Sequence, residues 1–206
     1  MQVSHLTEHH LEATAQMLAG TFDDDAAYRY LFPVAATRRQ GLADFFARNL
    51  RTHLPYRCTY VAYERTGEPL ATVTLRPPEG FAISVLTMFR RGLLPFALAH
   101  GRAAVKRMFW LKNAYDALEE RTANGAPHWH VHMMAVRPER QGQGVGSALL
   151  RRVLERTAET STHPTVLTTH LPENVTFYRR ASFDVFAEQM LEPPGDRPYT
   201  VWSMRR

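Results

Sequence analysis

Apolar residues recur along this chain with two different periods, and the switches between them divide it into elements. Met1 to Leu6 reads as a short strand, and Thr7 stands where it can cap a helix running to about Phe22. Asp23, Asp24 and Asp25 form an acidic turn before a short helix. From Ala35 to His53 the apolar residues Leu42, Phe45, Phe46 and Leu50 fall at helical spacing. Thr59 to Tyr63 and Pro69 to Leu75 are strand-like runs joined by Glu64-Arg65-Thr66-Gly67-Glu68, which predicts a hairpin. Pro77, Pro78 and Gly80 end that unit. An apolar, helix-forming stretch then extends from Phe81 to about Asn124, with breaks expected at Gly92, Pro95 and Gly101. Trp129 to Val136 is a strong strand, Arg137 to Gln141 a polar turn, and a helix follows to about Ala158 with Val145, Leu149, Val153 and Leu154 inward. Thr165 to Thr169 reads as a strand, Glu173 to Arg180 as a short helix, and Phe183 to Leu191 and Tyr199 to Met204 as closing strands. Strands on both sides of a central strand–loop–helix unit predict one α/β domain, residues 1–206, with a mixed sheet.

Composition narrows the class. A chain of 206 residues, 45% apolar and 22% charged, has the size and balance of one folded domain. The formal charge of +5 favours a polyanionic partner: nucleic acid, an acidic membrane surface or a polyanionic small molecule. The arginines are scattered as pairs and form no tract, so charge alone does not choose among these. The single cysteine, Cys58, excludes an internal disulfide and a cysteine-based zinc cluster, and points to a reduced, cytoplasmic setting. No signal peptide is expected, since Glu8, His9 and His10 come early. Phe81 to Leu98, the longest apolar run, is interrupted by Arg90, Arg91 and Pro95 and is too short and charged to span a bilayer.

The chemistry begins at Met134-Ala-Val-Arg-Pro-Glu-Arg-Gln-Gly-Gln-Gly-Val-Gly-Ser147, where a strand turns through glycines into a helix. Amides at a helix N-terminus favour anions, and glycines let the backbone approach them, so a phosphate or pyrophosphate is the expected guest. The Walker pattern is absent, and the even spacing of Gly142, Gly144 and Gly146 does not fit the dinucleotide fingerprint. The pattern Gln141-x-x-Gly144-x-Gly146 after Val136-x-Pro138 resembles instead the pyrophosphate loop of the GNAT acetyltransferases. A second run, Asn174-Val-Thr-Phe-Tyr178-Arg-Arg-Ala-Ser-Phe183, is similar to that family's N-x-x-F-Y-x-x-x-G-F element, with Ser182 where glycine is usual. The Phe22-Asp23-Asp24 turn and the C-terminal strand Thr200-Val-Trp-Ser-Met204 resemble, in layout, the puromycin acetyltransferase branch.

The resemblance implies a GNAT fold: a mixed, mostly antiparallel central sheet flanked by helices, here with a helical insertion at about 80–125. It implies acetyl-CoA as co-substrate, held by Met134, Ala135, Val136, Gln141, Gly142, Gln143, Gly144, Val145, Gly146 and Ser147, with Asn174 near the pantetheine arm and Tyr178 near the sulfur. No metal is expected.

His128, His130 and His132 alternate and so share one strand face. Three residues at repeats of about 7 Å do not converge on one ion, and His128 reads as an ordinary hydrogen-bonded histidine. His130-Val-His132-Met-Met-Ala-Val136 is similar in register to the His-x-His strand of the arylalkylamine N-acetyltransferases, which implies that His130 and His132 pass the amine proton away through water. The chemistry needs such groups. An alkylamine with a pKa near ~10 is about three units from neutral at pH 7, so exposing the free amine costs roughly 4 kcal/mol. Imidazole titrates in the range to accept that proton. The departing thiolate needs a proton, which the Tyr178 phenol can supply.

Cys58 as an acyl carrier and the aspartate turn as a cation trap are weaker candidates. The expected acceptor is the primary amine of a small molecule, acetylated by direct attack in a ternary complex under a roof supplied by the insertion. No nucleic acid or membrane partner is expected, and homodimerisation is left open. Two alternatives remain: a protein lysine or N-terminal acetyltransferase, which an open groove would favour, and a non-catalytic acyl-CoA sensor.

Overall fold

The computed structural model describes residues 1–79, 93–159 and 161–206. Strand β1 (Gln2–His5) leads into α1 (Glu8–Thr21), α2 (Ala26–Leu31) and α3 (Ala35–His53). The hairpin β2 (Thr59–Tyr63) and β3 (Pro69–Arg76) follows, then α4 (Leu94–Ala123), β4 (Trp129–Val136) and α5 (Val145–Ala158). The chain closes with β5 (Thr165–Thr169), α6 (Pro172–Arg179), β6 (Asp184–Leu191) and β7 (Tyr199–Arg205). This is the α/β GNAT architecture, in which the described residues form a seven-stranded sheet ordered β1-β2-β3-β4-β5-β7-β6 with helices on both faces.

Each face has its own core. On one, Leu11 and Leu18 of α1 and Leu42, Phe46 and Leu50 of α3, all fully buried, pack with Val61, Met133 and Ala135. On the other, Leu149, Leu150 and Val153 of α5 meet Val73, Leu75, Val131, Leu167 and Met204. Met133 and Ala135 of β4 join the first core while Val131, two residues before Met133, joins the second, so strict alternation breaks between them. A register shift makes that possible. Thr74 pairs with Met133 while the next residue, Leu75, pairs with Val131, so His132 is the extra residue of a β-bulge.

All strand pairs are antiparallel except β4 with β5, which pair in parallel at only Trp129↔Thr165 and His130↔Val166. Beyond His130 the two strands part, and the sheet opens into a wedge.

Several local expectations change in detail. Thr7 occupies the N-cap position of α1, but its hydroxyl meets the His10 ring at 3.0 Å instead of a backbone amide. Pro95 lies in the first turn of α4, where its missing N–H costs nothing, so it starts the helix instead of breaking it. Gly101 does interrupt it, with φ 76° and ψ 174°. The expected Gly92 break and Phe81 to Arg91 lie outside the described residues.

Candidate active site

Where β4 and β5 part, a cleft of about 1390 Å³ opens, walled by β4, the α1–α2 turn, α3, α4, the glycine turn and α6. The glycine turn forms one end of it. Helix α5 starts after Gly144, and its first backbone bond runs from Ala148 N–H to Gly144 O at 3.0 Å, leaving the amides of Val145, Gly146 and Ser147 at the open helix end. Gly144 sits at φ 78°, a conformation that side-chain-bearing residues rarely take. Gly146 answers a different demand, since a Cβ there would lie 2.9 Å from Val136 Cγ2. The turn is also braced from outside, where Arg140 pairs with Glu64 and Arg137 with Glu68 of the β2–β3 hairpin.

Met134, Ala135, Val136, Gln141, Gly142, Gly144, Val145, Gly146 and Ser147 all line the cleft. Gln141 spends its amide on Val136 O at 3.1 Å, fixing the exit of β4. Gln143 turns to Glu139 O at 3.0 Å and is not part of the lining. Asn174 lines the cleft and donates to Thr169 Oγ1 at 3.2 Å. Tyr178 borders the same space, its ring edge-on to Phe177 and Phe183, and burial raises its phenol well above the ordinary range. Such a phenol stays protonated through neutral pH and above.

His130 and His132 face the cleft with ring centroids 5.7 Å apart. Their partners differ. His132 Nδ1 accepts a hydrogen bond from the Arg76 guanidinium, and because arginine only donates, the neutral ring must carry its hydrogen on Nε2. His53 stacks on the same ring at 5.0 Å. Burial first, then the Arg76 charge, holds His132 well below the ordinary histidine range. His130 Nδ1 lies 2.8 Å from Glu119 Oε2, a short contact that departs from the N–H direction and acts through charge more than through an aligned hydrogen bond. His128 bonds to Ala126 O at 2.8 Å and Glu119 Oε1 at 3.1 Å, in keeping with its reading as an ordinary hydrogen-bonded histidine. Among the described residues no three His, Cys, Asp or Glu side chains are arranged so that they could hold a metal ion.

Cys58 is buried, and burial pushes its thiol up to about 11, a setting that suits an inert residue. The aspartate turn divides its labour. Asp24 is exposed on the cleft, while Asp25 Oδ1 accepts from the amides of Ala27 and Tyr28 and Oδ2 meets His170 Nε2. His170 in turn stands 3.4 Å from the Tyr115 hydroxyl, so α2, α4 and the end of β5 are tied at one corner of the cleft.

No sequence motif marks Arg76, His53, Glu119 or His170 as part of the cleft. One signal existed for His53, which continues the buried stripe of Leu42, Phe46 and Leu50. Arg76 and Glu119 carry no comparable local mark.

A sheet opened beside a glycine-lined helix end, with titratable rings on the central strand, is an arrangement able to hold an anionic group close to a proton acceptor. The chain belongs to the acetyltransferase (GNAT) family, whose model matches residues 21–183, and it is an enzyme of the acyltransferase class. Among solved structures it is similar to a Drosophila melanogaster polyamine N-acetyltransferase that forms N-acetylagmatine, with TM-score 0.64, 15% identity and coverage of 100% of this chain and 98% of that one. It is also similar to arylalkylamine N-acetyltransferase 2 of Aedes aegypti, with TM-score 0.61, 11% identity and 100% and 97% coverage. The C-terminal condensation domain of Ebony, seen with beta-alanyl-dopamine, gives TM-score 0.69, 13% identity and 100% and 97% coverage. At such identities these likenesses establish the shared fold. No helix among the described residues is long and apolar enough to cross a membrane.

Proposed function

We propose that this enzyme moves the acetyl group of acetyl-CoA to the primary amine of a small molecule by direct attack in a ternary complex. The observation that carries this reading is that the glycine turn and the histidine pair open into one cleft roofed by α4, with Phe96, Met108, Phe109 and Tyr115 in its lining. A roofed cleft suits a small acceptor, whereas an extended peptide needs an open groove. The polyamine and arylalkylamine activities of proteins with this fold point the same way.

In this reading the amides of the glycine turn bind the pyrophosphate of CoA, and the unpaired edge of β4 beyond His130 lies open to the pantetheine arm. Asn174 borders that path. The amine nitrogen attacks the thioester carbon; the C–N bond forms and the C–S bond breaks. The His130–His132 pair passes the amine's proton away through water, the role that its likeness to the arylalkylamine N-acetyltransferase strand implies. Tyr178 protonates the thiolate. The resemblance to the puromycin acetyltransferase branch concerns layout and assigns no acceptor.

The test is thiol release from acetyl-CoA across arylalkylamines, polyamines, aminoglycosides and peptides. Release with one or more small amines is the expected result. Release with peptides alone would replace this reading by a protein acetyltransferase, and tight CoA binding without turnover on any acceptor would replace it by a sensor.

A further inference from the structure

Glu119 reaches from the roof helix to the central strand and stands between two histidines. Its Oε1 lies 3.1 Å from His128 Nε2 and its Oε2 2.8 Å from His130 Nδ1, and the side chains of Glu119 and His130 are only 19% and 13% exposed. A lone pair on Nδ1 would face the carboxylate's charge at 2.8 Å, so charge favours the ring form that carries its hydrogen on Nδ1, although the contact is not an aligned hydrogen bond. That leaves Nε2 of His130 as the lone pair able to take a proton. His132 is arranged the other way: Arg76 occupies its Nδ1, and a second positive charge there would face the guanidinium.

Resting on the acetyltransferase reading, we propose that Glu119 is the positioning residue for amine deprotonation, orienting His130 and holding the imidazolium that forms when Nε2 takes the ammonium's proton. One proton passes from the ammonium to His130 Nε2 and then to solvent. The second, released as the C–N bond forms and the C–S bond breaks, ends on the CoA thiol through Tyr178. His132 stays neutral and orders the relay.

The charges around His130 fit this division. Glu119 faces it from α4, His128 and His132 from its own strand and the residues before it, Arg76 from β3, and His53 stacks behind His132 from α3. Burial lowers the affinity of His130 for a proton, and the Glu119 carboxylate restores part of it. Burial works against the charge on Glu119 as well, yet His130, Arg76 and His128 together hold its carboxyl down to about 2, so it is ionised wherever the enzyme would work. Because Glu119 belongs to α4, the roof that shapes the acceptor space also supplies the counter-charge to the base.

The test is Glu119→Gln, read by an imidazole NMR titration of His130, which needs no acceptor, and by the pH profile of turnover. The expected result is that His130 titrates lower by about 1 pH unit or more. The acid limb of the profile should move with it, and turnover at pH 7 should fall about tenfold or more, with KM for acetyl-CoA unchanged. In a His130→Gln background the same change should cost little more. Glu119→Asp, which keeps the charge, should restore a near-native titration and guards against a Gln variant that fails to fold. An unshifted His130 titration, or an equal loss in the His130→Gln background, would overturn the proposal. A shifted titration in a protein that acetylates no amine would leave the Glu119–His130 coupling standing and remove the acetyltransferase reading instead.

Discussion

Two rings two residues apart on β4 meet opposite counter-charges, and this sets what each can do. His132 carries Arg76 on its Nδ1 and His53 on its face, so a proton added there gains no compensating negative charge. His130 faces a carboxylate. Tyr178 is simpler: a phenol packed between aromatic rings, kept protonated by burial, bordering the cleft. Phenylalanine would keep the ring and remove only the oxygen. Tyr178→Phe is therefore expected to lower kcat by about 10²–10⁴-fold, the range of general acid–base assistance, with acetyl-CoA affinity unchanged by calorimetry. Donors with a more acidic thiol should lose less, because their thiolate departs without a proton. Equal loss with every leaving group would make Tyr178 a positioning residue for CoA.

At the level of elements, the glycine turn and the turn after α6 are places where the chain takes up left-handed backbone conformation. Gly144→Glu puts a side chain at φ 78° and a carboxylate at the helix end where an anion is expected, so CoA binding should be abolished in a folded variant. Calorimetry showing native affinity would remove the turn from the cofactor site. After α6, Ser182 stands at φ 65°, where the family element it resembles has glycine. Ser182→Gly should relieve about 1 kcal/mol of left-handed strain and raise Tm by about 2–4 °C for a chain of this size, without changing turnover. A lowered Tm would show that the serine side chain contributes more than its strain costs.

For the whole molecule, the buried histidines tie stability to pH. Burial, the largest cause, holds His53 at about 4 in the folded state against 6.5 ordinarily. Between those values the unfolded chain binds the proton and the folded one does not, so stability is fully present above about 6.5 and is lost as pH falls toward about 4. His130 and His132 shift in the same direction. His53 alone is expected to account for roughly 3 kcal/mol across that window. Urea midpoints at pH 7.5, 5.5 and 4.5 should fall in that order, and His53→Gln should flatten part of the slope. A midpoint constant from pH 7.5 to 4.5 would show that the buried histidines take up protons as readily in the native state as in the unfolded one.

What the sequence determined by itself was local. The alternation from Trp129 to Val136, the glycines at 142, 144 and 146 and the helical stripe of Leu149, Val153 and Leu154 fix β4, the turn and α5, because each depends on neighbours a few positions away. The family resemblance drew on those same residues, so the fold was legible along with the candidate CoA residues. The surroundings of the histidines were not. His53, Arg76, Glu119 and His130 meet from α3, β3, α4 and β4, and no sequence period links residues so far apart. The bulge at His132 depends on how β3 pairs with β4, and Asp25 reads as a surface charge until α2 and His170 close around it. Which ring meets a carboxylate and which a guanidinium is set by packing the roof helix on the sheet, so tertiary structure alone decided the chemistry of the pair.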